Sequence, residues 1–159
     1  MLRGLALGAC MLLVGCADER VPASVKGYNH MSDRSVLSFT VDGAGGPNLG
    51  PESGGGGSSC CASIPARWRP GMKVRVEWSY GSGAEGTPPP PQEAVVEIPE
   101  YSSRAGSIQA HFYPNHKVKV VVATYGIEHP RYPMSEEDKL PWETSKQLLE
   151  YEKEGRLPE

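Results

Sequence analysis

The chain has 159 residues and a formal net charge of −3, from 16 Lys and Arg against 19 Asp and Glu. That length suits one domain with a real hydrophobic core. An acidic balance with no basic stripe excludes a nucleic-acid binder of ordinary design.

The N-terminus reads as an export signal. Arg3 supplies the positive charge and Gly4–Val14 a short apolar stretch, about the length of a signal-peptide core and too short to span a bilayer. It ends in Leu13-Val14-Gly15-Cys16, a bacterial lipobox. Small residues there admit the lipoprotein signal peptidase, and diacylglycerol is then added to the Cys16 sulfur. Leu7-Gly8-Ala9-Cys10 fits the same pattern but leaves only a handful of apolar residues before the cut. Residues 1–15 are thus expected to be a signal peptide, with Cys16 as the lipidated end of the mature chain. An aspartate directly after the cysteine is the usual inner-membrane retention signal; here Ala17 comes first and Asp18 second. The expected address is the periplasm, on the inner leaflet of the outer membrane. Cleavage leaves 144 residues and moves the charge to −4. Residues 16–24 read as a lipidated tether of at most ~30 Å, residues 25–126 as a β-domain, and residues 127–159 as an irregular segment and C-terminal helix packed on it.

Within the domain, Val25–His30 and Ser35–Val41 are expected to be strands joined across Met31-Ser32-Asp33-Arg34; the second is rich in β-branched and aromatic residues. Asp42–Ser59 differs in kind, with eight glycines among the fifteen residues from Gly43 to Gly57. Such a segment loses much entropy on ordering and has little to bury, so it reads as a long mobile surface loop. Ser59–Ile64 resumes extended structure, Pro65–Gly71 turns the chain, and Met72–Tyr80 alternates strictly. Met72, Val74, Val76 and Trp78 would face one side, and Lys73, Arg75, Glu77 and Ser79 the other. Gly81–Gln92 contains four consecutive prolines and reads as a stiff, extended loop. Glu93–Ile98 is a further strand, and Ser107–Tyr113 with Lys117–Thr124 a hairpin across Pro114-Asn115-His116. Ile127–Pro141 reads as irregular. Trp142–Glu154 is the one expected helix, with Leu148, Leu149 and Tyr151 near one face and Gly155 as its stop. About seven short strands and one C-terminal helix predict a mainly β fold, an antiparallel sandwich or partly open barrel.

Templates for chemistry are mostly unmet. No G-x-x-x-x-G-K-[ST] occurs, and neither glycine cluster leads from a strand into a helix. No G-x-S-x-G elbow occurs either. His30, His111, His116 and His129 lack metal-ligand spacing and are expected to be solvated turn residues; no metal or cofactor is expected. Trp68 and Trp78 are expected to be core anchors. Cys60 and Cys61 are adjacent, and successive side chains of a regular strand point to opposite faces. They are a possible vicinal disulfide, two thiols with at least one buried, or one half of a bond to another chain. A redox enzyme would normally carry C-x-x-C beside a helix, which is absent.

Several stretches together resemble a known family. They are Gly27-Tyr28-Asn29-His30, the Asp33-Arg34 step, Ser38–Gly43, the GGGGSSCC–IP–W–PG–KVRVEW run at 54–78, Ala94–Pro99, and the Ala110–Pro114 and Lys117–Val120 hairpin. The resemblance is to a family of Gram-negative lipoproteins catalogued as a domain of unknown function, and it covers about residues 25–124. Some members of that family are encoded beside type VI secretion phospholipase effectors and act as their periplasmic immunity proteins. The resemblance therefore implies a non-enzymatic lipoprotein that binds and neutralises a toxin, with a lipase effector as partner and a lipid anchor in the membrane. It brings no catalytic residues to carry over. The expected contact surfaces are the 42–59 and 81–92 loops, with Asn48, Glu52, Ser58 and Glu85, and behind them Trp142 and the acidic cluster Glu136, Glu137 and Asp138. The alternative expectations are an envelope structural or assembly lipoprotein bound to a resident membrane protein, and a thiol oxidoreductase using Cys60 and Cys61.

Overall fold

The computed structural model describes residues 19–81, 86–102, 106–135 and Asp138. Among these, nine strands follow one another: β1 (Arg20–Asn29), β2 (Val36–Val41), β3 (Ala44–Gly45), β4 (Ser53–Gly54), β5 (Ser59–Pro65), β6 (Lys73–Tyr80), β7 (Gln92–Glu97), β8 (Ser107–Tyr113) and β9 (Lys117–Ala123). They form two sheets. In one, β1 lies between β8 on one side and β4 and β5 on the other, with β9 outside β8; the second has the order β3-β2-β6-β7. All pairings are antiparallel except β1 with β8, which run parallel. The sheets do not close on each other, so the fold is a mainly β sandwich and not a barrel.

The core is what alternation dictates. Val74, Val76, Trp78 and Tyr80 of β6 point inward with Val36, Phe39 and Val41 of β2, and meet Val25, Ile108, Ala110, Phe112, Val118, Val120 and Val122 of the other sheet. Phe39 and Trp78 both pack on Phe112, with ring centroids 5.1 and 5.6 Å apart. Trp68 packs at the margin of this core and donates its indole N–H to Ile98 O at 2.9 Å.

The seven longer strands correspond to the seven expected. Three details differ. First, β1 starts at Arg20 rather than Val25, because residues 20–23 pair with Pro65 back to Ala62 on β5. Only Ala17, Asp18 and Glu19 separate it from Cys16. Second, Asp42–Ser59 is not wholly a surface loop. It contains β3 and β4, and its Leu49 is buried and exchanges two backbone hydrogen bonds with Val36, at 2.9 and 3.0 Å. Its glycines serve close approach: a Cβ on Gly46 would fall 1.9 Å from Cζ of Phe39, so the ring can cover that turn only if the residue has no side chain. Third, His30 and His111, expected in solvent, lie beneath a cover on the outer face of the β1-β8-β9 sheet. Residues 124–135 fold back over it, placing Ile127, Tyr132 and Met134 against Tyr28, Val121 and Ala123 as a second, smaller core. The expected helix at Trp142–Glu154 lies outside the described residues.

Candidate functional site

That second layer holds a buried polar chain. β8 carries Ser107, Gln109, His111 and Tyr113 on its outer face, β1 contributes Tyr28, and His30 follows directly after β1. Gln109 and His111 have no exposed surface. The amide of Gln109 donates to Ser107 Oγ at 2.8 Å and to Tyr125 O at 3.1 Å, so its Oε1 is the acceptor that faces Tyr132. The Tyr132 hydroxyl donates to that oxygen at 2.8 Å. Having spent its proton there, Tyr132 can only accept from His111, so the 2.7 Å contact is His111 Nε2–H to Tyr132 Oη. His111 Nδ1 is then an acceptor and takes its hydrogen bond from His30 Nε2–H at 3.0 Å. Every member is satisfied with both imidazoles neutral.

The surroundings favour that state. Tyr28 stacks on His111 with centroids 4.6 Å apart, and Tyr113 stacks on His30 at 4.1 Å. Burial pulls the pKa of His30 down to about 4 and that of His111 to about 3, with His30 adding to the effect on His111. Burial also raises the Tyr132 and Tyr113 hydroxyls, Tyr113 further by its bond to Asp138. Burial would raise Asp138 too, but hydrogen bonds from Lys119, Tyr113 and Ser135 outweigh it and hold its carboxyl at about 2. Its contacts are 2.7 Å to Lys119 Nζ, 2.8 Å to Tyr113 Oη and 2.9 Å to Ser135 Oγ. This cluster braces the 124–135 cover onto the sheet. Sequence reasoning placed His30 and His111 in solvent; the structure buries His111 fully and His30 mostly, because the cover supplies the partners that solvent would have given.

A more accessible constellation sits at the end of the sandwich where β1 finishes. The turn 30–35 and the turn Pro114-Asn115-His116 face each other across a cleft of about 200 Å³. Met31, Tyr80 and Pro114 form its apolar lining, and Asp33, Arg34, Asn115 and His116 its polar one. Arg34 binds Asp33 Oδ2 through Nε at 2.8 Å and Nη2 at 2.6 Å, and its guanidinium lies 5.7 Å from the Tyr80 ring centroid. The hydrogen bond from Arg34 lowers the pKa of Asp33. Asn115 and His116 both adopt left-handed backbone, with φ of 60° and 58°. For a histidine this is uncommon, and a 3.0 Å bond between His116 Nδ1 and Tyr80 Oη fixes the ring there.

Cys60 and Cys61 lie on β5, both exposed, with their sulfurs bonded to each other and a cis peptide between them. Ala23 pairs with Ala62 and Val25 with Ser59, so the two cysteines together stand opposite the single Ser24. This is a β-bulge, and the rule that adjacent side chains face apart does not apply inside it.

Of the expected contact residues, Asn48 and Ser58 are exposed and Glu52 is half-buried, its N–H bonded to Met31 O at 2.8 Å. Glu52 thereby ties the glycine-rich segment to the turn beside the cleft. Glu85, Trp142, Glu136 and Glu137 lie outside the described residues, as does Cys16. Among the described residues no group of three or more His, Cys, Asp or Glu is placed to hold a metal ion. Nor is any helix among them long and apolar enough to cross a membrane.

A family model described as a protein of unknown function, DUF3304, matches residues 28–120, more than half of the chain. The chain belongs to the DUF3304 family. No curated protein and no solved structure matches it significantly. The matched span runs from Tyr28 in β1 to Val120 in β9 and so takes in both histidines of the buried chain and every residue lining the cleft. In this chain Tyr28-Asn29-His30 and His111-Phe112-Tyr113, more than eighty residues apart, become direct neighbours through the parallel pairing of β1 with β8.

Proposed function

We propose that this DUF3304 protein is a non-enzymatic periplasmic lipoprotein that binds and neutralises a toxin, a phospholipase effector of type VI secretion being the partner class. Lipidated Cys16 would anchor it to the inner leaflet of the outer membrane. The observation that carries the reading is where the fold begins. With β1 starting at Arg20, lipidation of Cys16 would hold the domain within ~15 Å of the headgroups. A lipid-degrading enzyme must work at that surface, and tethering raises the inhibitor's concentration there without any new contact. A single acyl chain binds a membrane only marginally, and the three chains of a mature lipoprotein remove that weakness. The buried histidine chain favours a binding role over a catalytic one, since its groups are neutral, mutually satisfied and covered by residues 124–135.

The test is co-expression in the periplasm of a type VI phospholipase effector with this chain, using an effector encoded beside it. Survival with the intact chain, lysis without it, and a complex that persists through gel filtration are expected. Equal lysis in both cultures with no complex overturns the reading for that effector.

A further inference from the structure

We propose that the partner is gripped at the end of the sandwich remote from the anchor, by the cleft between the 30–35 and 114–116 turns, which takes one aromatic side chain with a polar tip from a protein partner. The proposal rests on the tethered-inhibitor reading for its biological setting, but the cleft itself is argued from geometry.

β1 runs as a continuous ten-residue strand from Arg20 to Asn29, which at strand rise is about 33 Å. Its first residue is held near Cys16 and its last opens the 30–35 turn. β8 runs parallel to β1, so its far end delivers Pro114-Asn115-His116 to the same place. β6 ends there too, since its Tyr80 pairs with Val36 at the start of β2. Three elements thus converge at the end that points away from the membrane.

A volume of about 200 Å³ accommodates one large side chain and no more. Its floor is apolar, from Met31 and the Tyr80 ring, and its rim polar, from the Asp33–Arg34 pair and His116. Such a shape fits a side chain with an apolar body and a hydrogen-bonding tip, which is what tyrosine and tryptophan bring to interface centres. Arg34 binds Oδ2 of Asp33 through both Nε and Nη2, and the Asp33 carboxylate, whose side chain is 42% exposed, offers an acceptor at the rim for the phenol or indole proton. The left-handed conformations of Asn115 and His116 give the wall its shape, and the bond from His116 to Tyr80 holds it in the absence of a partner. Preformed walls lower the ordering cost of binding. A toxin held here is lifted off the bilayer by the length of the sandwich.

The first experiment is a titration of the ¹⁵N-labelled mature chain, lipidated and held in detergent micelles, with N-acetyl-tyrosinamide, followed by amide shifts. Saturable shifts at Arg34, Asn115 and His116 with a millimolar dissociation constant are expected, as befits a fragment. They should weaken at least tenfold in D33A/R34A, whose remaining spectrum should be unchanged. Equal binding of N-acetyl-leucinamide or N-acetyl-argininamide, or shifts centred elsewhere, overturns the aromatic assignment. The second experiment repeats the toxin co-expression with D33A/R34A. Loss of protection at an unchanged protein level is expected. Full protection by D33A/R34A overturns the cleft as the grip while leaving immunity standing. Failure of the unaltered chain to protect overturns immunity, and the titration alone then decides the cleft.

Discussion

Tyr132→Phe isolates the assignment of donors and acceptors in the buried chain. The aromatic ring would stay, packed with Tyr28 and Ile127, and only the hydroxyl would go. Two fully buried groups then lose their partner at once: His111 Nε2–H, which donated at 2.7 Å, and Gln109 Oε1, which accepted at 2.8 Å. Neither can turn to water, because both residues have no exposed surface. A buried polar group left unsatisfied costs about 1–3 kcal/mol, so the pair predicts a loss of about 3 kcal/mol, well above the usual worth of one hydrogen bond. In a marginally stable domain that is a large fraction of the whole, and the melting temperature should drop by more than about 10 °C. Urea denaturation of the wild type and Y132F reads the free energy directly, with the midpoint lowered and the m-value unchanged. A loss below about 0.5 kcal/mol would show that Tyr132 is not the acceptor for His111 and that the direction of the chain is misassigned.

The histidines also set a pH dependence. Their ordinary value is about 6.5 and their folded values are about 4 and about 3, so the unfolded chain binds more protons and stability falls as the pH drops below about 6.5. Near pH 5 the slope should approach about 2.7 kcal/mol per pH unit, two protons' worth; denaturation midpoints that coincide at pH 7 and pH 5 would refute neutral burial. The double substitution C60S/C61S removes a disulfide whose residues are exposed and adjacent in sequence, so it closes almost no loop and leaves no cavity. It should cost less than about 1 kcal/mol and leave any protection seen in the co-expression assay unchanged; a larger loss in the melting curve, or lost protection, would give the bulge a role beyond shifting the register of the β1–β5 ladder.

The sandwich was legible because its strands alternate. On β6 every second residue is apolar, and those are the residues that the structure buries. The second layer was not legible for a related reason. Ser107, Gln109, His111 and Tyr113 alternate with Ile108, Ala110 and Phe112, and period two cannot distinguish a polar face in water from one roofed by another segment. A signal was nonetheless present on β9, where Val120, Val121, Val122 and Ala123 break the alternation and require apolar surroundings on both faces. The partner for that outer face had to come from the proline-rich stretch after it, where Ile127, Tyr132 and Met134 are the apolar residues. The contact residues chosen from loop composition fared differently. Glycine content located the 42–59 segment, but Leu49 and the Glu52–Met31 bond anchor it in ways that composition does not reveal.

Among the described residues, the faces of the sandwich differ in what they present to a partner. One outer face is covered by residues 124–135. The other is exposed and carries a larger cleft, about 450 Å³, but its polar groups are engaged across the strands. Ser38 bonds Ser79 at 2.7 Å, Thr40 bonds Glu77 at 3.3 Å, Arg75 bonds Glu93 at 2.6 Å, and Lys73 stands opposite Glu97. At the end formed by the 30–35 and 114–116 turns, Asn115 and His116 are left-handed, His116 is bonded to Tyr80, and both residues line an open cleft. A local backbone cost that the β8–β9 turn could have avoided with glycine at either position is retained where a partner would meet it.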